Sequence, residues 1–578
     1  MSRIVTKKAS GYIILFVVYT VFFIIMTFPL SLDFKNFFIT NDVDAPSFVW
    51  NIYNFTDNVR GLKNPFVTDK IFYPQGANLI MHAYSPVYGI LGLICGDNHV
   101  LSLNIVLFMS FILSSLGAYL LCNHYVNNSL LSFLAGFIFS YCPYKLMHLF
   151  GHYHLMLTAT IPFFILVFIR TFKYSLDKDR LILSAKRNLI YLGLLFILTL
   201  LSDYYYSFYL GVFSLVYIMY FKFHIYRVNL FSIKNITWYL IVLFITNVLI
   251  KIFQHFNLSD KRGLFMSADI AGFFLPSPHS RFLSSNFIRN FYFNIVGEPM
   301  EKVLYLGCVL LASSVCYFLF KEYKKSSPDE KVVAFLIVCF FMFSMPVVSF
   351  AGKNLFALPS AIFHFIPFLN NYRAPTRWVV MIMLLLPVLS SLFIKRYILR
   401  RLSKNLHFYF ITVLFLLVFI EYNQKTYSVE SMQSVPKVYY ELALRENGVL
   451  LEIPLGFRDG FGRVGTEETR QMFYQTIHHK KILSGMVSRF NKRKFEFFLN
   501  NPVILKLIML ELKQKVFLVL SDRDVSDFMR KFNIRYLLIP PEYRGSIIES
   551  FLKNIFAKYI VESADADGYL LITLRDEV

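Results

Sequence analysis

The chain has 578 residues, of which 56% are hydrophobic and 18% aromatic but only 16% charged. So little charge excludes an ordinary soluble domain, and the repeated long apolar runs read as a polytopic membrane protein. The formal charge of +22 does not argue for a nucleic-acid partner, because the basic residues fall in short loops between apolar runs, where they set topology.

Arg3, Lys7 and Lys8 precede the first apolar run, Gly11 to Leu30, and place the N-terminus in the cytoplasm. That run is long enough to span, and no small-residue cleavage site follows it, so it reads as a retained span rather than a signal peptide. About ten residues beyond its exit lies Thr40-Asn-Asp-Val-Asp-Ala-Pro-Ser-Phe-Val-Trp50. Asp42 and Asp44 stand there at i and i+2, before Ala-Pro and a run of aromatics. Such a pair is placed to act at the membrane surface, or simply to cap the helix that begins near Pro46. The outer loop 31–84 closes in the turn Phe72-Tyr-Pro-Gln-Gly-Ala-Asn-Leu79.

Further spans are expected at Leu101 to Leu121, Leu130 to Tyr141 and Leu155 to Ile169, returning the chain to a basic loop from Arg170 to Arg187. Leu189 to Phe221 is apolar except for Asp203 and reads as two spans with an outer turn at Ser202-Asp-Tyr-Tyr-Tyr206. Ile236 to Ile250 leads to a second large outer loop, 254–301. Val303 to Phe320, Val332 to Phe350, Trp378 to Ile394 and Phe408 to Ile420 complete about eleven spans. Every clearly basic loop then falls on one side. The six cysteines lie in or beside apolar runs without metal-like spacing, so neither a disulfide framework nor a zinc site is implied.

From Glu430 onward short apolar runs such as Val449 to Ile453, Tyr536 to Ile539 and Tyr569 to Thr573 alternate with helical periodicity at Val525 to Phe532 and Ser546 to Phe556. The expected architecture is mainly α. A membrane domain, 1–425, is followed by an extracytoplasmic α/β domain, 430–578.

The polar features collect on the outer side. Asp203, Arg373 and Arg377 lie at span ends, where charge is costly unless it is used. A carboxylate can take a proton from an attacking hydroxyl, and arginines can hold a phosphate bidentately. The bland alternatives are a helix cap for Asp203 and headgroup anchoring for the arginines. His148, His152 and His154 mimic metal spacing without an accompanying carboxylate.

These residues resemble the GT-C superfamily of integral-membrane glycosyltransferases, and most closely its poorly characterised bacterial members. The resemblance rests on Asp42-Val-Asp44, Trp50, Asn64-Pro-Phe66 and Phe72-Tyr-Pro-Gln-Gly76. It continues in Ser140-Tyr-Cys-Pro143 with Gly151-His152, Ser267-Ala-Asp269 with Leu275-Pro276 and His279, and Tyr372-Arg-Ala-Pro-Thr-Arg377. In the last third it includes Glu452-Ile-Pro-Leu455, Arg470-Gln-Met-Phe-Tyr-Gln-Thr-Ile-His478 and Ser488-Arg489. It implies an inverting transfer from a polyprenyl-phosphate sugar to a glycan, lipid or protein acceptor, at the outer face of a bacterial inner membrane. An acid of the first loop, Asp42 or Asp44, would be the base. Many members carry adjacent acids, whereas here one residue separates them, so which acid acts stays open. Arg373 and Arg377 would hold the lipid phosphate, and Tyr474, Gln475 and His478 would face the acceptor. Asp203, Tyr73, Gln75, Asp269 and His279 complete the candidate substrate contacts. The sequence specifies no cofactor, and a divalent cation, magnesium or manganese, would suit the paired acids. A lipid or polysaccharide transporter would show repeated halves and several ionisable groups deep in its spans; here Asp203 is alone and no repeat is visible. A non-catalytic envelope assembly factor on the same fold is the remaining alternative.

Overall fold

The computed structural model describes residues 2–40, 44–175, 177–225, 233–255, 266–320, 325–366, 373–460, 462–489, 492–514 and 518–575. Each apolar stretch expected to span carries a helix. These are Ser2–Met26, His99–Val126, Ser129–Tyr141, Thr160–Thr171, Asn188–Ser202, Tyr204–Lys222, Ile233–His255, Cys308–Leu319, Pro328–Ser344, Val379–Phe393 and Lys404–Tyr422. Among the described residues, four helical stretches are long and apolar enough to cross a membrane: His99–Val126, Ser129–His148, Pro375–Leu399 and Lys404–Tyr422. The chain is a multi-pass membrane protein.

Two compact bodies divide the chain. One comprises Met1–Pro29, Leu107–Leu149 and Leu155–Tyr427; the other comprises Leu30–Val106, Phe150–His154 and Ser428–Val578.

The first body is helical. Its centre is the stretch Pro375–Leu399, whose apolar window is 94% buried, whereas that of Lys404–Tyr422 is only 17% buried and faces outward. Helix association in lipid relies on close packing and interhelical polar contacts rather than on hydrophobic burial. Both devices are present here. A Cβ on Gly136 would collide with the Tyr19 hydroxyl and the Ser115 carbonyl, so the helices carrying them approach where only glycine fits. The Tyr19 hydroxyl donates to the Phe133 carbonyl (3.0 Å), Tyr141 to the Tyr19 carbonyl (2.8 Å), and Thr199 to Thr160 (2.7 Å). Trp378 stacks on Tyr209, with centroids 3.9 Å apart, and on Phe340 at 5.3 Å.

The second body is built on a five-stranded sheet in the order Lys481–Ile482, Val449–Glu452, Ile534–Ile539, Tyr569–Leu574, Ile560–Ala566. The first three strands are parallel and the last two join antiparallel, with Leu451 opposite Leu537 and Leu538 opposite Leu571. Val449 to Glu452 is buried throughout, as a central parallel strand requires. Residues 30–106 belong to this same body. Strand Phe37–Ile39 pairs antiparallel with Val429–Ser431, Phe38 facing Glu430. The 70–76 turn is laced on by Phe72 N–H to the Ser484 carbonyl and Ile482 N–H to the Lys70 carbonyl. Lys494 Nζ adds bonds to the carbonyls of Gln75 and Gly76 (2.9 and 2.8 Å). Helix Ala45–Arg60 packs on helix Arg470–His478. At their contact Trp50 Nε1 donates to Gln475 Oε1 at 2.5 Å, across 425 residues of sequence.

Candidate functional site

Asp44 immediately precedes helix Ala45–Arg60, with Pro46 in its first turn, which is the position of a helix-capping acid. Its side chain makes no capping hydrogen bond. Asp44 Oδ2 instead lies 3.7 Å from His152 Nε2, and Oδ1 lies 3.5 Å from Arg458 Nη1. Arg458 is held in turn by Glu467, Nη1 to Oε1 at 2.9 Å. The aspartate keeps 26% side-chain exposure, enough for a ligand to reach it. His154 stacks on Phe48 of the same helix with planes 8° apart, which fixes the 152–154 turn beside Asp44.

Burial pushes the Asp44 carboxyl up. The bond and charge of His152, followed by the charges of Arg458 and His82, outweigh that and hold it below the ordinary carboxylate range. Burial takes His82 down to about 4 despite the nearby Asp44, so this imidazole is neutral at pH 7. Its Nδ1 accepts from the Ser488 N–H (2.9 Å), which places the ring proton on Nε2. Ser488 Oγ also accepts from the Ala83 N–H (3.0 Å), so the two motif-bearing segments fasten to each other. The outcome is an ionised, reachable carboxylate flanked by an imidazole and a guanidinium. It can accept a hydrogen bond from a hydroxyl, and Arg458 can pair with a phosphate.

The other sequence candidates separate clearly. Asp42 lies outside the described residues. Gln475 is buried, and its amide is fully engaged: Oε1 by Trp50, Nε2 by the carbonyls of Lys70 (2.7 Å) and Lys480 (2.8 Å). His478 is also buried; its Nδ1 accepts from Lys480 N–H, and burial pushes its pKa to about 3. Tyr474 stacks on Tyr439 at 4.1 Å. Gln475 thereby ties helix Arg470–His478 to helix Ala45–Arg60 and to the 70–76 turn. Tyr73 lies under Lys481 Nζ, 5.0 Å from the ring centroid. Gln75 serves that body through its carbonyl.

In the first body Asp203 does cap its helix, accepting from Tyr205 and Tyr206 N–H at 2.8 and 3.2 Å. Asp269 accepts from the N–H groups of Ala271, Ala351 and Gly352, tying two loops together. Arg377, expected to hold a phosphate, keeps only 11% side-chain exposure and is forked onto Glu301, Nη2 to Oε1 at 2.5 Å and Nε to Oε1 at 3.1 Å. Its guanidinium also covers the Tyr205 ring at 4.8 Å. Arg373 is half-buried just before the turn Pro375–Trp378. His279 has its ring against Phe293, and its carbonyl accepts from Lys425 N–H. His148 belongs to the first body, and His152 and His154 to the second.

Sequence reading flagged His152 through its spacing and the Gly151-His152 motif. It missed Arg458, Glu467 and His82. Arg458 does follow the Glu452-Ile-Pro-Leu455 motif by three residues, which was the one available signal.

Comparison with known proteins bears on the fold. The arabinofuranosyltransferase AftD from Mycobacteria superposes with a TM-score of 0.51 at 12% identity, over 92% of this chain and 36% of that one. The archaeal oligosaccharyltransferase AglB from Archaeoglobus fulgidus, in complex with an inhibitory peptide and a dolichol-phosphate, gives 0.45 at 11% identity, over 98% and 74%. The apo form of the oligosaccharyltransferase from the same organism gives 0.47 at 13% identity, over 92% and 70%. No curated protein matches the sequence. The AftD superposition, together with the helical body, defines a membrane protein of GT-C-like fold. The chain belongs to the family described as a domain of unknown function, DUF6311, whose model matches residues 14–421. That match includes Asp44, His82 and His152 and ends before Arg458.

Proposed function

We propose that this protein is an inverting glycosyltransferase. It moves a sugar from a polyprenyl-phosphate donor to a glycan, lipid or protein acceptor at the outer face of a bacterial inner membrane. The observation that carries this reading is the carboxylate of Asp44. It occupies a capping position without capping, and it is turned toward His152 and Arg458. In this reading all eleven helices span, the N-terminus is cytoplasmic, and Ser428–Val578 is extracytoplasmic.

The acceptor hydroxyl donates to Asp44, and its oxygen attacks the anomeric carbon as the bond from that carbon to the phosphate oxygen breaks. The electron pair leaves with the lipid phosphate, which Arg458 receives bidentately. A carboxylate held below its ordinary range is a weak base. Pairing of Arg458 with the donor phosphate offsets part of the positive charge that, after that of His152, depresses Asp44, so donor binding strengthens the base before transfer. Arg373 and Asp42 remain candidates for contacts to phosphate and acceptor. Asp44 Oδ2 and His152 Nε2 are also spaced to share a divalent cation, given ligand bonds of about 2.1 Å. Such an ion would supply positive charge to the departing phosphate.

Asp44→Asn, expressed in a strain lacking the chain, is expected to accumulate the lipid-linked sugar and to lose transfer in isolated membranes. Full complementation by that variant would leave the assembly-factor or transporter reading in its place.

A further inference from the structure

A cavity of about 440 Å³ lies beside Lys325, just before helix Pro328–Ser344, and the end of the stretch Pro375–Leu399 with the two arginines that follow it. Among the described residues its lining is Lys325, Arg396, Tyr397, Arg400 and Arg401: four basic residues and one tyrosine. The helix widens to a π-turn over Ile394–Leu399, a local irregularity that often accompanies function. Tyr397 is clamped there between Phe320 and Phe393, with ring centroids 4.5 and 5.4 Å away. The Arg401 guanidinium lies over that ring at 4.0 Å and donates to the Tyr397 carbonyl at 3.0 Å, so it is ordered in advance. Arg396 is neutralised by Glu330 (2.5 Å) and also reaches Ser326 (3.4 Å).

The positive-inside rule asks for basic residues in these loops. It does not ask them to converge on one concavity around a stacked guanidinium. Arg400 and Arg401 add two guanidinium groups to the concavity beside the Glu330-paired Arg396, and like charges held that close are relieved by an anion placed between them. Two planar arginine forks suit phosphate geometry. Exposed Leu319, Phe320, Leu406 and Phe408 sit at the ends of the same helices and offer apolar surface for acyl chains. We propose that this cavity binds a phosphate group, presented by the headgroup of an anionic phospholipid or by a free phosphate compound.

The test places the full-length protein in nanodiscs of phosphatidylcholine, alone or mixed with phosphatidylglycerol. A third arm adds potassium phosphate to the phosphatidylcholine discs, against chloride of equal ionic strength. The thermal midpoint should rise with phosphatidylglycerol if the headgroup is the ligand, and with phosphate if the free anion is. Arg400→Gln/Arg401→Gln should weaken either response by roughly tenfold or more in apparent affinity. Lys173→Gln/Lys178→Gln, which removes the same charge from another basic loop, should leave it intact. Arg401→Lys keeps the charge without the planar fork and should lose affinity several-fold, which a diffuse positive field would not produce. Equal losses in the two double variants, an unaffected Arg401→Lys, or no response in the unaltered protein would overturn the proposal.

Discussion

Asp44 and Asp203 stand in the same relation to the chain, each one residue before a helix: Ala45–Arg60 and Tyr204–Lys222. At Asp203 the carboxylate turns back and satisfies two N–H groups of its own helix, as a capping acid does. At Asp44 the same side chain makes no such bond and points to His152 and Arg458, which lie far along the chain. An acid that leaves its local partner for distant charged groups is held by tertiary structure. That is the more informative sign of a site, because its charged partners come from distant parts of the chain. Asp269 behaves like Asp203, with its oxygens occupied by backbone N–H groups.

The contrast makes unequal predictions for one substitution. Asn caps a helix as well as Asp does, so Asp203→Asn removes charge while keeping the cap, whereas Asp44→Asn removes the charge that His152 and Arg458 face. Asp44→Asn should reduce sugar transfer by about a hundredfold or more while the protein still folds, measured on purified protein. Glu301→Gln comes next, read in stability rather than activity. It strands the largely enclosed Arg377 guanidinium and should destabilise by about 3 kcal/mol, measured by thermal or denaturant unfolding in detergent.

Arg458→Gln probes the electrostatics of Asp44. Arg458 helps hold that pKa down, so its loss moves the pKa up toward the ordinary value. The acid limb of the pH–activity profile should therefore shift to higher pH, and an unmoved limb would separate Arg458 from Asp44. The same sign governs stability. A depressed carboxylate stabilises above its ordinary, unfolded pKa of 3.8, and that contribution is lost as pH falls through the lower folded value. The smallest effect is expected from Asp203→Asn, within a few tenths of a kcal/mol of the unaltered protein, whereas Asp203→Ala should cost about 1 kcal/mol. A hundredfold activity loss in Asp203→Asn with stability retained would erase the distinction between the two acids.

Hydropathy alone located the helices, because a chain in lipid must satisfy its backbone within each segment, and long apolar runs have no other solution. The strands near Val449, Tyr536 and Tyr569 were equally legible from their short, β-rich runs. The acid-bearing loop was visible too, as charge next to a span. The use of each side chain was not legible, because partners are set by contacts across hundreds of residues. Gln475 reads as an exposed polar residue in a motif until Trp50 takes its oxygen from 425 positions away. Arg377 reads as a phosphate anchor until Glu301 occupies its fork. Arg458 carried almost no local signal, yet it stands against Asp44. Periodicity and charge report which environment a segment prefers; only the folded chain decides which two charges meet, since burial makes an unpaired charge costly and so enforces the pairing.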